Sequence, residues 1–334
     1  MSRARAGLPT SPARAGVPTG RAGIRPVEVV VLGYLGIMAI IVAVSLERLS
    51  DGPALLAGYA GAVMFLLAAV WAERRSPAVG AVRFLRFAAP LLVLPFAYSA
   101  AGRAVLVLHG RFVDDAVYAW ESALFGTLPN ITVTAAGSPL LTELLTFCYF
   151  SFYGCFLIPV VLYARGRTGL AEQHLFASLT AMLACYLGFL TVPLAGPALA
   201  LPELHAAYGP SGHLIADLQN AIMTALDPPG ACFPSSHVAG AWVTVLCLRR
   251  FVSRTTRLIL WALTLGLTVA VVYDWYHYAS DVVAGLAVAL AAYAVTERVR
   301  ARRAEGGGQV DRPAADEAGG ARDQEVWERH RSWR

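Results

Sequence analysis

Eight apolar runs, each close to 20 residues, leave this chain few options other than a bilayer. A hydrocarbon core of about 30 Å is crossed by a helix of about 20 residues. Runs of that kind lie at 27–46, 53–72, 88–108, 143–164, 175–194, 237–252, 258–276 and 279–297. The sixth is the shortest, because Arg249 and Arg250 cut into it, and those arginines would snorkel to the interface. Helices satisfy their own backbone polar groups in lipid. The expected fold is therefore all-α, a polytopic membrane helix bundle of about eight transmembrane helices. Composition agrees: 15% of the residues are charged, against roughly 25% in soluble domains, and the mean hydropathy is +0.56.

The basic residues sort by side. Every one of the 27 is arginine. Arg3, Arg5, Arg14, Arg21 and Arg25 precede the first run, and clusters at Arg74–Arg86, Arg165–Arg167, Arg249–Arg257 and Arg298–Arg303 follow the second, fourth, sixth and eighth. The opposite connections carry only Arg48 and Arg111, and the long one at 195–236 carries none. The positive-inside rule then predicts cytoplasmic termini in a cell-membrane protein, with loops 109–142, 195–236 and 274–280 facing outward. Basic clusters between apolar runs report topology and exclude a nucleic-acid partner despite the net charge of +5. Residues 1–25 read as a disordered basic cytoplasmic tail without a cleavable signal, and 298–334 as a second disordered cytoplasmic tail. Five scattered cysteines with no Cys-x-x-Cys pair predict neither a disulfide framework nor a zinc site, and no cofactor is expected.

The outward loops hold the chemistry. Two amphipathic stretches, Phe112–Phe125 and His213–Leu226, are expected to lie on the membrane surface or to cover a site. At the entrance to the sixth run the chain reads Gly230-Ala231-Cys232-Phe233-Pro234-Ser235-Ser236-His237. A proline there starts a helix whose free amides and seryl hydroxyls suit a phosphate. Between the seventh and eighth runs it reads Tyr273-Asp274-Trp275-Tyr276-His277-Tyr278-Ala279-Ser280-Asp281. His277 and Asp281 are four apart, on one helical face, where a carboxylate orients an imidazole as nucleophile or base. The two runs between His237 and His277 return both histidines to the same side, a result of a topology that did not use them.

The Pro-Ser-x-His motif followed by His-x-x-x-Asp resembles the type 2 phosphatidic acid phosphatase superfamily over residues 88–297. The wording Phe-Pro-Ser-x-His, then His-Tyr-x-x-Asp-Val-x-Ala-Gly, is most similar to the branch of inositolphosphotransferases and inositol phosphorylceramide synthases. Asp114–Pro129 is similar to the loop before the core helices of that branch. The resemblance implies a six-helix phosphatase-like core at 87–297, with two additional transmembrane helices at 26–86. It implies that His277 attacks phosphorus, that Asp281 orients it, and that His237 protonates the leaving alcohol and then activates water or an acceptor alcohol. Ser235, with Ser236, would hold the phosphoryl oxygens. The substrate would be a lipid phosphate or polyprenyl phosphate among membrane lipids, and the reaction hydrolysis or head-group transfer.

The pattern departs from the family at its cations. No lysine exists to begin the first motif, Val271 stands where an arginine usually precedes the second histidine, and Ala195-Gly196-Pro197-Ala198 replaces a Pro-Pro-Arg-like segment. The His-His pair of the branch is Tyr276-His277. A phosphoryl site normally has a positive clamp, and Arg103 is the candidate, with Arg111 second and a purely anchoring role the alternative reading of Arg103. Asp274 reads as a solvated loop carboxylate, with assistance to the site as the alternative, Cys232 as a small packing residue, and Tyr149, Phe150, Phe152 and Tyr153 as packing or as the lining of a lipid entrance. The competing function is a transporter or scaffold that kept the fold without the chemistry.

Overall fold

The computed structural model describes residues 23–307, so most of both expected tails lies outside the described residues. Among those residues the chain is helical throughout, joined by turns and a single backbone bridge between Leu194 and Ala231. It divides into two units, one up to Ala100 and one from Ala101.

The first unit is built on α1 (Pro26–Val44), α2 (Gly52–Arg75) and most of α3 (Gly80–Arg103). Proline occupies the first turn of α1 and of α2, where its missing N–H costs nothing. Glu28 closes the N-terminus of α1 by accepting the amide of Arg25 at 2.7 Å. Val31, Leu35, Met38, Leu55, Tyr59 and Leu66 fill the space between helices, while Ile40, Val44, Met64 and Leu67 face outward as surface for hydrocarbon. Arg86 is buried and bonds Glu28 at 2.6 Å and Glu73 at 2.9 Å. A pairing of this kind neutralises charges that would otherwise be costly to bury.

The second unit runs through α4 (Asp114–Phe125), α5 (Pro129–Thr134), α6 (Pro139–Phe150), α7 (Phe152–Cys155), α8 (Leu157–Ala164), α9 (Thr168–Thr191), α10 (Pro197–Ala200), α11 (Pro202–Tyr208), α12 (Leu214–Leu226), α13 (Ser236–Leu248), α14 (Arg254–Tyr273) and α15 (Ala279–Gly307). At its centre stands α13, packed on α9, α14 and α15. Twelve of its 13 residues are buried. The pattern explains this: Val238, Ala239, Ala241, Val243, Val245 and Leu246 make α13 apolar all round, and Gly240 lets Phe152 approach at 2.9 Å from where a Cβ would sit.

All eight apolar runs are helical, with differences in detail. Six helices among the described residues are long and apolar enough to cross a membrane, and a seventh span forms if α6–α8 is counted as one. That segment bends by 49°. Pro159 lies four residues after Cys155 and lacks the amide that would bond the Cys155 carbonyl, which accounts for the break at Phe156. The sixth run, α13, has 13 residues and is about 20 Å long at 1.5 Å per residue, short of the about 30 Å of a hydrocarbon core. The helix α15 also continues past the expected boundary near 297, to Gly307.

Candidate active site

Ser235, the N-cap of α13, accepts the Val238 amide on its hydroxyl at 3.4 Å. Its own amide bonds the carbonyl of Asp281 at 3.1 Å, tying the first motif to α15. Contact is that close because residue 285 is glycine: a Cβ there would lie 2.5 Å from the Ser235 carbonyl oxygen. Gly188 on α9 plays the same part beneath the ring of Pro234. Ser236 and His237 then occupy the first turn of α13, both buried.

The second motif is placed by a tight reversal. Trp275 takes φ 60°, in the left-handed region, a backbone conformation that costs a bulky residue of order 1–3 kcal/mol. In return the amides of Tyr276 and His277 both reach the carbonyl of Val271, at 3.1 and 2.9 Å. Asn130 clamps the same reversal from α5, donating to Val272 at 2.7 Å and to the His277 carbonyl at 3.1 Å.

These turns bring the motifs together. The rings of His237 and His277 lie 5.8 Å apart, and Nδ1 of His277 is 3.3 Å from Oδ2 of Asp281. The Tyr278 amide donates to the same oxygen at 2.9 Å and the Cys232 thiol at 3.0 Å. Burial, and then the charge of Asp281, hold the Cys232 thiol well above its usual value and so protonated. His237 is held from the other side: its Nε2 meets the hydroxyl of Tyr149 at 2.9 Å, and its ring packs on Phe152 at 4.4 Å. Nδ1 of His237 has no partner among the described residues.

A shell of carboxylates supports these groups. Asp114 accepts the amides of Ala195 and Gly196 at 2.9 and 3.0 Å and the Tyr278 hydroxyl at 3.1 Å. Desolvation raises its pKa, and the amide bonds oppose the rise. Glu121 accepts the amides of Ser280 and Ala279 at 2.6 and 3.4 Å, at the N-terminus of α15. The stretch around α4 therefore covers the site and is pinned to it by two buried carboxylates. The Ala195-Gly196-Pro197-Ala198 segment abuts the same reversal, with Gly196 at φ 93° and its would-be Cβ 3.2 Å from the Tyr276 carbonyl.

A cavity of about 720 Å³ reaches Tyr276, the chain neighbour of His277, and is lined by Asp274, Trp275 and Tyr276 on one wall and by Asp217, Asn220 and Met223 of α12 on another, with neither His237 nor His277 in its lining. His205 is the sole basic side chain in its lining. Asp274 is not a solvated loop carboxylate: it is 7% exposed, lies 3.4 Å from the Thr146 hydroxyl, and burial pushes its pKa up to about 8. Arg103 sits exposed on the last turn of α3, outside that lining.

Of the site residues expected from the sequence, Ser235, Ser236, His237, His277 and Asp281 come together here, whereas Arg103 lies outside the cavity lining. Sequence reasoning missed Tyr149, Cys232, Asp114, Glu121 and Asn130 as parts of the site. Acidic residues in an otherwise apolar amphipathic stretch were the one available signal, for Asp114 and Glu121.

A family model described as the PAP2 superfamily matches residues 115–295, more than half of the chain. No curated protein and no solved structure gives a match. The matched span runs from α4 through most of α15 and includes both histidines, while the inositolphosphotransferase branch is a finer distinction than this match draws. The chain therefore belongs to the PAP2 superfamily, and its activity falls in the phosphatase and phosphotransferase class that such membership carries.

Proposed function

We propose that this protein is an integral membrane lipid-phosphate phosphatase or phosphotransferase that works through a phosphohistidine on His277. The observation that carries the reading is the convergence of two histidines, one on α13 and one in the reversal between α14 and α15, 5.8 Å apart, the second bonded through Nδ1 to a buried aspartate. With Nδ1–H donated to Asp281, the lone pair of His277 lies on Nε2. That nitrogen forms the bond to phosphorus as the bond to the leaving alkoxide breaks, and His237 delivers a proton to the alkoxide. In the second half a water or alcohol gives its proton to His237, bonds phosphorus, and displaces His277. Tyr149 occupies Nε2 of His237, so Nδ1 is the nitrogen left to carry the proton.

The phosphoryl oxygens fall to Ser235, Ser236 and the amides at the start of α13, a favourable end for an anion. Arg103 is the cation in this reading. The arginine pattern supports an extracytoplasmic site in a cell membrane with both termini inside. The substrate is a lipid phosphate or polyprenyl phosphate, and the adjoining cavity leaves room for a head group or an acceptor alcohol, which supports transfer alongside hydrolysis.

The test uses membranes carrying the full chain or its His277→Ala variant and a panel of lipid and polyprenyl phosphates. Expected are phosphate release or head-group transfer and an acid-labile, alkali-stable phosphoenzyme, both lost in the variant. Unchanged turnover in His277→Ala would sink the mechanism.

A further inference from the structure

Cys232 is 45 residues from His277 and 49 from Asp281, yet its sulfur touches both side chains. Sγ is 3.5 Å from Nδ1 of His277 and 3.0 Å from Oδ2 of Asp281, and these two atoms are 3.3 Å apart. Bond lengths of about 2.3 Å to sulfur and about 2.0–2.1 Å to nitrogen and oxygen give a tetrahedral zinc ion ligand edges of about 3.5–3.6 Å for S···N and S···O, and about 3.3 Å for N···O. Two of the three edges already match, and the third needs to open by about 0.5 Å. All three residues are buried, and Oδ1 of Asp281 has no partner among the described residues, which leaves the carboxylate further capacity to coordinate. A divalent ion with one thiolate and one carboxylate is neutral overall, the charge state that a buried site accepts.

We propose that Cys232, His277 and Asp281 form a binding site for a thiophilic divalent ion of the zinc class, and that an ion held there silences phosphoryl transfer. Thiolate and imidazole select such ions over magnesium and calcium, which prefer oxygen. The silencing follows from proton positions and rests on the function proposed above. A metal on Nδ1 needs the lone pair of that nitrogen, so the proton that Nδ1 carries in its hydrogen bond to Asp281 moves to Nε2. The thiol proton leaves to solvent. Nε2, now protonated, has no lone pair for phosphorus, and Asp281 is committed to the ion.

The experiment titrates the purified full chain in detergent with Co²⁺, whose sulfur-to-metal charge-transfer absorption reports a cobalt–thiolate bond without any turnover. Expected are one Co²⁺ per chain, the charge-transfer band, its displacement by Zn²⁺ and its persistence in excess Mg²⁺. Cys232→Ser should lose the band, Cys155→Ala should keep it, and Asp281→Asn, with the thiol intact, should shift the titration to higher Co²⁺. No band in the native protein, or a band that survives Cys232→Ser, overturns the site. In parallel, Zn²⁺ should abolish phosphoenzyme labelling in the native protein. Labelling that continues with the site occupied overturns the silencing, whereas absence of labelling in metal-free protein counts against the phosphohistidine reading and leaves the site standing.

Discussion

The hydroxyl of Tyr149 and Nε2 of His237 share a hydrogen bond of 2.9 Å between two buried groups, one from the bent α6–α8 segment and one from the central helix. The bond fixes the orientation of the His237 ring and leaves Nδ1 as its open nitrogen. Tyr149→Phe keeps the ring packing and removes this one interaction, worth about 0.5–1.5 kcal/mol. The expected result is a kcat reduced about tenfold with little change in KM, together with a displaced basic or acidic limb in the kcat profile against pH. An unaltered pH profile would make Tyr149 a packing residue.

Gly285→Ala tests the contact between the two motifs. The added methyl would sit 2.5 Å from a backbone oxygen, which cannot rotate away as a side chain can. Overpacking of this kind costs about 1–3 kcal/mol. Because α15 carries Asp281, its displacement also pulls the Asp281 carbonyl from the Ser235 amide and its carboxylate from His277. Activity should fall more than the drop in melting temperature accounts for. A variant with native kcat would show that the approach of α15 is not needed.

Asp274 makes stability depend on pH. Its carboxyl titrates near 8 in the fold because burial disfavours the charged form, whereas the unfolded chain titrates near 3.8. Between those values the folded state binds the extra proton, so the contribution to stability is full below about pH 4 and is lost as pH rises through about 8. Asp227, raised to about 7 by burial, acts in the same sense. Asp274→Asn mimics the protonated form and should lessen the fall in melting temperature in detergent between pH 5 and pH 9. An equal fall in both proteins would contradict the assignment.

Arg103→Ala isolates the proposed cation. A charged hydrogen bond to phosphate is worth about 1.5–3 kcal/mol, so KM for a lipid phosphate should rise by about tenfold or more while Arg103→Lys recovers part of it. Native KM in Arg103→Ala would assign the residue to anchoring the end of α3.

Much of the second unit was legible in the linear order. Apolar runs at 175–194, 258–276 and 279–297 announce the membrane-crossing helices α9, α14 and α15, because each must satisfy its backbone internally. The four-residue spacing of His277 and Asp281 signals their pairing, although His277 sits in the reversal ahead of α15, which begins at Ala279, and not on the helical face expected. The run at 237–252 was legible as a helix yet not as the buried centre of the bundle, because apolar residues face lipid and protein alike and hydropathy does not distinguish the two. Asp274 was misjudged for a related reason, as burial is a property of the neighbours α6 and α12.

What the sequence determined alone is therefore periodic and local: the apolar helices, the helix start at Ser235, and the pairing of His277 with Asp281. What only the tertiary structure decided is which distant groups touch these residues. Tyr149 reaches His237 across 88 positions and Cys232 reaches Asp281 across 49. Contacts of that range arise from helix packing at glycines 188, 240 and 285 and from the reversal at Trp275, whose geometry is set by steric fit between elements and leaves no periodic trace in the chain.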